Sequence, residues 1–583
     1  MPNFTTSPGV AISEIDNTFL TGQPIQAGAA IVGPTVKGPI NTPMLVTSYS
    51  EYQTMFGDII TSGSNTYSYF TSIAAYNYFN YGGTSLLVTR VASGSYTSAT
   101  SSYIADLSES IYVVNGYVDP AYVSSTPSQS AFILETIAEG VIMNNGSVGT
   151  NGILSSGSKD NVRFEITLPN TQSGTFNLLI RRGNDVNNNK VILESWNNLS
   201  LDPFSPRYIS KIIGDQKLVY DSLNEQLVLQ GDYPNNSRYV RVSAVNSPTP
   251  NYLDANGVPK PQYVSQIPTS QSGTFNGATG NVNNTINFYE TITSTNTQGV
   301  SPSDYDIALN LLANAETYQF NVLFTPGLTN DLHFGTVTDI IANTQDRGDN
   351  LFVLDLTGYN STLGNVVNQA TSRDTSYAAT YWPWVRIIDP STGKHVWVPA
   401  STVVPGVYAF NDKVAAPWFA PAGINRGGLA TVLQAEQKLT QGNRDLLYSN
   451  NVNPIATLPR QGVVVFGQKT LQKADSALDR VNVRRLMIEL KNYIRQIANT
   501  IVFEQNTSVT RGSFLSRVNP YLDGIQQKQG LYAYKVIMDE TNNGPAVIDQ
   551  NQLIGQIYIK PTRTAEFISL DFILLPTGAE FPG

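Results

Sequence analysis

Strand-length apolar runs recur towards both ends of this chain and are missing from its middle, and that interruption constrains the fold more than any other feature. Residues 29–33 (AAIVG), 86–91 (LLVTRV) and 351–356 (LFVLDL) are too short for core helices and too uniformly apolar to alternate between core and water. Runs of this kind fill sheets that are buried on both faces. Helical stretches lie between them: residues 49–56 ending at Gly57, an aromatic helix over about residues 69–79 stopped by Gly82 and Gly83, and residues 307–315. A strand over residues 320–324, ending at Pro326-Gly327, follows the last of these. Strand, helix, strand at this spacing is the βαβ unit of an α/β domain.

Between residues 93 and 302 the pattern stops, and Ser, Thr, Asn and Gly dominate. This stretch reads as an insertion. Its best elements are three alternating runs, residues 162–168, 175–182 and 190–195, separated by Gly/Asn turns and therefore antiparallel. Residues 250–300 read as a loop or a thin β excursion. The chain has 583 residues, which at about 150 per domain means several domains. Residues 10–16 (VAISEID) form a short strand with no local partner, followed by a Gly/Pro-rich lead.

Composition excludes several kinds of chemistry. There is no cysteine, hence no disulfide scaffold, thiolate zinc site or thiol nucleophile, and His333 and His395 are the only histidines. A net charge of −9 argues against a phosphate-backbone ligand, so nucleic acid is not an expected partner. No basic leader with an apolar stretch opens the chain, and no run of about 18 apolar residues occurs, so a soluble protein with no membrane insertion is expected. The Asn-x-Ser/Thr triplets at Asn145, Asn198 and Asn360 follow from a composition rich in those residues. Phosphate-loop, dinucleotide, zinc-protease and nucleophile-elbow motifs are absent. Asp346, Asp349 and Asp355 are the carboxylates closest to a hydrolase-like pair, with turn and strand-end roles as the plainer reading. Tyr381, Trp382 and Trp384 read as packing aromatics before they read as a sugar platform. The expected catalytic, cofactor and metal residues are therefore none.

The C-terminal region is the most regular. Leu486, Leu490, Tyr493, Ile494, Ile497 and Ile501 mark one apolar face of a helix over residues 485–502. A shorter helix carries Phe514, Val518, Tyr521, Leu522 and Ile525, and strands follow at residues 531–538, 555–560 and 566–574. In the last strand Ile568, Leu570, Phe572 and Leu574 share a face. Residues 471–529 hold nine basic and five acidic side chains in a chain that is acidic overall. Helix solubility is one reading of part of this surplus, and a docking face for an acidic protein partner is the sharper one.

Ser7-Pro8-Gly9-Val10 with Glu14-Ile15-Asp16, Met55-Phe56-Gly57, Tyr81-Gly82-Gly83, Val88-Thr89-Arg90-Val91, Thr325-Pro326-Gly327, Tyr381-Trp382-Pro383-Trp384, Val398-Pro399-Ala400-Ser401 and Ala420-Pro421-Ala422-Gly423 occur in that order. With VNVRRLMIELKNYIRQIANTIVFEQN, Ile559-Lys560-Pro561 and Ala565-Glu566-Phe567-Ile568, this ordered set resembles the contractile tail sheath proteins of bacteriophages. The resemblance implies a multidomain α+β and α/β fold. It has an N-terminal arm (1–22) belonging to the C-terminal domain, an α/β middle domain (23–92 and 303–460), a β-rich inserted outer domain (93–302) and a C-terminal core with a terminal arm strand (461–583). It further implies a structural virion subunit without catalysis, assembled in the host cytoplasm as stacked hexameric rings that contract to drive a tube through the host envelope. Its implied partners are other copies of itself, the tail tube protein, and baseplate and tail terminator proteins. The expected intersubunit strands are Val10, Ile12, Glu14, Ile15 and Asp16 at one end and Phe567, Ile568, Leu570, Phe572 and Leu574 at the other. Arg484, Arg485, Lys491 and Arg495 are the expected tube-facing basic helix. Sheaths of secretion systems and bacteriocins share this reading, and a polysaccharide-binding adhesin is the alternative from a different class.

Overall fold

The structure is a computed structural model and describes residues 25–62, 65–107, 129–221, 223–281 and 300–567. The apolar runs build one eight-stranded sheet. Its strands are β1 (Ala29–Gly33), β2 (Met44–Val46), β3 (Leu86–Arg90), β4 (Val322–Thr329), β5 (Leu351–Asp355), β6 (Ala378–Trp382), β7 (Asn453–Leu458) and β8 (Gly462–Val465), in the spatial order β8-β7-β6-β5-β4-β1-β3-β2. The six central strands are parallel, and β2 and β8 close the edges antiparallel.

Alternation explains why these runs are apolar throughout. Ala29 and Ile31 of β1 face one core while Ala30 and Val32 face another, and β5 divides in the same way into Leu351 and Val353 against Phe352 and Leu354. The first core is covered by α1 (Tyr49–Phe56) and α2 (Phe70–Asn80), and the second by α3 (Asp306–Ala313), α4 (Phe334–Arg347) and α5 (Leu363–Thr371). A further helix, α6 (Val404–Val414), adds Val404, Val407 and Tyr408 to the first core. Gly57 stops α1 at φ +71 and Gly82 follows α2 at φ +105, conformations that a Cβ strains.

Two sequence expectations change. Strand β4 does not end at Pro326-Gly327 but runs through them to Thr329, with a register break opposite β5 between Phe324 and Thr329. β8 pairs with β7 inside the large sheet, so a division at residue 461 would cut a hairpin of the middle domain. The β excursion expected within residues 250–300 is present as two short strands over residues 271–276, each completing a different sheet of the insertion.

The insertion leaves after β3 and returns before α3. Strands 162–170, 175–182 and 192–200 are antiparallel neighbours, as the alternation predicts, and strand 271–273 joins their edge. A second sheet orders strands 240–245, 132–139, 98–101 and 275–276. Among the described residues, the core between them draws only on residues from Ala99 to Ala278, with the Phe132 and Phe176 rings stacked at 5.6 Å. Its seat on the large sheet's domain is polar: the buried Arg90 donates to the Gly38 and Glu139 carbonyls at 2.6 and 3.0 Å, Ile40 N donates to Glu139 Oε2 at 3.1 Å, and Lys37 donates to the Asp160 carbonyl at 3.1 Å. Separate cores joined through polar contacts make separate unfolding units. Leu178→Ala should lower the insertion's calorimetric transition, at a cost of about 2–5 kcal/mol, and leave the remaining transition in place; equal displacement of both would contradict this.

Candidate functional site

The C-terminal region holds most of the expected site residues, and its geometry follows from one helix. α7 (Val481–Asn499) begins four residues before the expected start and packs on two sides. Leu486, Leu490 and Ile497 enter a core shared with Phe514, Val518, Leu522 and Ile525 of α8 (Ser508–Gln527) and with the antiparallel hairpin β9 (Leu531–Ile537) and β10 (Gln556–Pro561). Val481 and Ile488, on the other side of α7, enter the first core of the large sheet. The Tyr493 and Tyr521 rings stack at 3.6 Å between α7 and α8.

This double packing corrects the basic-face expectation. Arg484 and Arg485 are each only 4% exposed. The Arg485 guanidinium donates to Asp412 Oδ1 and Oδ2 at 2.9 and 2.5 Å and lies 4.8 Å over the Tyr408 ring. Burial works against its charge, and Asp412 together with the Tyr408 and Tyr381 phenols more than offsets that. The Tyr408 hydroxyl is 2.5 Å from that of Tyr381, and burial pushes the Tyr408 phenol up to about 12. Arg484 bonds Ser376 and sits 4.0 Å over the Tyr377 ring. Both arginines therefore tie α7 to the large sheet's domain and are withdrawn from any partner. Lys491 and Arg495 are exposed; Lys491 donates to the Tyr377 hydroxyl at 3.2 Å.

Of the expected arms, Val10, Ile12, Glu14, Ile15 and Asp16, and Ile568, Leu570, Phe572 and Leu574, lie outside the described residues. Phe567 is 84% exposed. Glu566, expected as the first residue of the terminal strand, is held within its own chain: Oε1 accepts from Arg480 Nε at 2.9 Å and Gln468 Nε2 at 3.0 Å, and Oε2 accepts from the Tyr448 hydroxyl at 2.7 Å. Neither this hub nor the Arg485–Asp412 pair carries a periodic signal in the sequence. Glu566 stands inside the quoted Ala565-Glu566-Phe567-Ile568 run, its only sequence-level mark.

The carboxylates near the sheet do not converge. Asp349 accepts from Arg347 at 2.9 Å, Asp346 is exposed on α4, and Asp355 accepts from Ser401 N at 3.0 Å and Ser401 Oγ at 2.5 Å. His333 Nδ1 accepts from Thr329 N at 3.1 Å, and His395 opens an exposed strand end. Tyr381, Trp382 and Trp384 are buried core residues. Among the described residues no group of three or more His, Cys, Asp or Glu could hold a metal ion, and no helix is long and apolar enough to cross a membrane.

Comparison with known proteins places these elements. Residues 298–471 match the phage tail sheath protein central domain, and residues 473–574 match the phage tail sheath C-terminal domain. These two regions of the chain are thus similar to the central and C-terminal domains of phage tail sheath proteins. It is 38% identical over 225 residues to the tail sheath protein of Vibrio phage KVP40, covering 39% of this chain and 34% of that one. It is 34% identical over 226 residues to the tail sheath protein of Enterobacteria phage T4, again covering 39% and 34%. The chain thus spans about a third of the length of the curated relatives it matches. A sheath tail protein of Listeria innocua shares the fold at a TM-score of 0.51 and 11% identity, over 92% of this chain and 95% of that one.

Removing one partner of a buried ion pair strands the other. Arg485→Ala should cost about 3 kcal/mol, the low end for such pairs because Asp412 is one-third exposed, while Arg495→Ala should stay within about 0.5 kcal/mol. Urea midpoints measure both, and equal small losses would contradict the assignment. Burial raises Asp355 from 3.8 to about 7. Between those values the folded state holds a proton that the unfolded chain has released, so this contribution is full below pH 4 and is lost as pH rises through 7. Asp355→Asn should flatten that decline in midpoints measured from pH 4 to 8; an unchanged slope would refute it.

Proposed function

We propose that the chain is a structural subunit of a contractile phage tail sheath, polymerising as stacked hexameric rings around a tail tube and shortening to drive the tube through the host envelope. The observation that carries this reading is the consecutive match to the sheath central and C-terminal domains, in order and nearly without a gap. On this reading the protein is not an enzyme and resides in the virion tail after assembly in the host cytoplasm. Its partners are further copies of itself, the tube, the baseplate and the terminator.

The domain division follows the cores: residues 23–92 and 303–471 form the middle domain, 93–302 the outer insertion, and 472–561 the C-terminal core. Residues 1–22 and the segment beyond Phe567 act as arms. The β9–β10 hairpin supports this use of the arms. Among the described residues it is a two-stranded sheet with no third strand on either edge, and open edges accept strands by backbone pairing. Strands from neighbouring subunits then complete the sheet, and shortening is rigid-body movement of subunits about flexible leads. Lys491 and Arg495 remain as the tube-facing cations, without Arg484 and Arg485.

Deletion of residues 1–16 should leave the thermal midpoint in place and abolish tubes seen by negative-stain microscopy; well-ordered tubes would overturn the arm reading. Lys491→Glu with Arg495→Glu should preserve self-assembly and weaken co-sedimentation with purified tube at low salt, where surface charge is least screened. Undiminished binding would remove that face from the tube contact.

A further inference from the structure

We propose that Glu566 is the anchor that fixes where the C-terminal arm leaves the subunit, and that it holds a short length of chain in reserve. The inference rests on the reading that this arm links subunits.

After β10 ends at Pro561 the chain does not follow the hairpin but crosses onto the middle domain. Thr562 Oγ1 donates to the Gln529 carbonyl at 2.6 Å, and Gln468 Nε2 donates to Thr564 Oγ1 at 2.6 Å. Glu566 then takes the three donors described above, from Tyr448 on the helix Gln441–Ser449, Gln468 after β8, and Arg480 just before α7. Arg480 is itself held by Asp479 at 2.8 Å. A carboxylate bonded by a guanidinium and two further donors is the strongest tie in the segment. One residue later Phe567 is almost fully exposed. Glu566 is therefore the last described residue that is held against the body of the subunit by side-chain hydrogen bonds.

The tie is made by side chains. Among the described residues, the only backbone-to-backbone bond from residues 562–567 to the body of the subunit is Thr562 N to the Gly530 carbonyl, at 3.3 Å. Release at Glu566 and Thr564 therefore needs no unpairing of β10 from β9. Extended chain spans roughly 3.3–3.6 Å per residue. Freeing residues 562–567 adds about 20 Å on the same scale. A lattice whose subunits change separation can draw on that length without breaking the link, and Glu566 decides whether it is drawn.

Arg563 lies exposed inside the anchored segment and supplies the readout. In the full chain, Glu566→Ala should speed tryptic cleavage after Arg563 at least tenfold, with cleavage elsewhere and the thermal midpoint unchanged. Glu566→Gln, which keeps the Tyr448 and Gln468 partners but not the charge, should fall between. Polymers of Glu566→Ala should form with a broader spread of subunit spacing by electron cryomicroscopy. Cleavage after Arg563 at the wild-type rate in Glu566→Ala would overturn the anchor. So would wild-type spacing in Glu566→Ala polymers when deletion of residues 568–583 abolishes assembly. Normal polymers from that deletion would instead overturn the linking arm, and the reserve with it.

Discussion

The first half of α7 is buried in two cores at once, and the freedom of every other part follows from that. Leu486 and Leu490 belong to the C-terminal core while Val481 and Ile488 belong to the core of the large sheet. Arg485 donates from both terminal guanidinium nitrogens to Asp412 within this joint, and Asn482 Nδ2 donates to the Trp418 carbonyl at 3.1 Å. A buried, bidentate pair tolerates little reorientation, because any rotation that lengthens it leaves desolvated charge uncompensated. The middle and C-terminal domains therefore move as one body. On the proposed reading, movement between subunits falls to the segments beyond β10 and before β1.

The insertion stands apart from that body. Its core takes no residue from the large sheet, and its seat is made of charged and backbone groups such as Arg90, Glu139, Lys37 and Asp160. The match to the sheath central domain begins at residue 298, close to the C-terminal limit of the insertion. A self-contained unit on a polar seat can diverge without disturbing α7 or the hairpin, since changes in separate cores add nearly independently.

The parts that were legible in the sequence have a period. Apolar runs that alternate between two cores read as buried parallel strands, and the runs at residues 162–182 read as an antiparallel sheet, because side-chain direction repeats locally. The apolar face of α7 read correctly from Leu486 to Ile497. The burial of Arg484 and Arg485 did not, because the second packed face is marked only by Val481 and Ile488, too few for a stripe. Asp412 lies 73 residues from Arg485, and Arg480 lies 86 from Glu566. Pairing over such distances is set by tertiary placement and leaves no local trace. The run through Pro326-Gly327 was misread for a related reason: a turn dipeptide can be carried inside a strand when a register break absorbs it.

The rigid joint is tested most directly by electron cryomicroscopy of polymers of this chain before and after shortening. With residues 300–471 superimposed between the two states, α7, α8 and the β9–β10 hairpin should coincide within about 1 Å, with all displacement confined to the chain beyond the hairpin and before β1. A rotation of α7 against the large sheet, with the Arg485–Asp412 pair broken in one state, would contradict it.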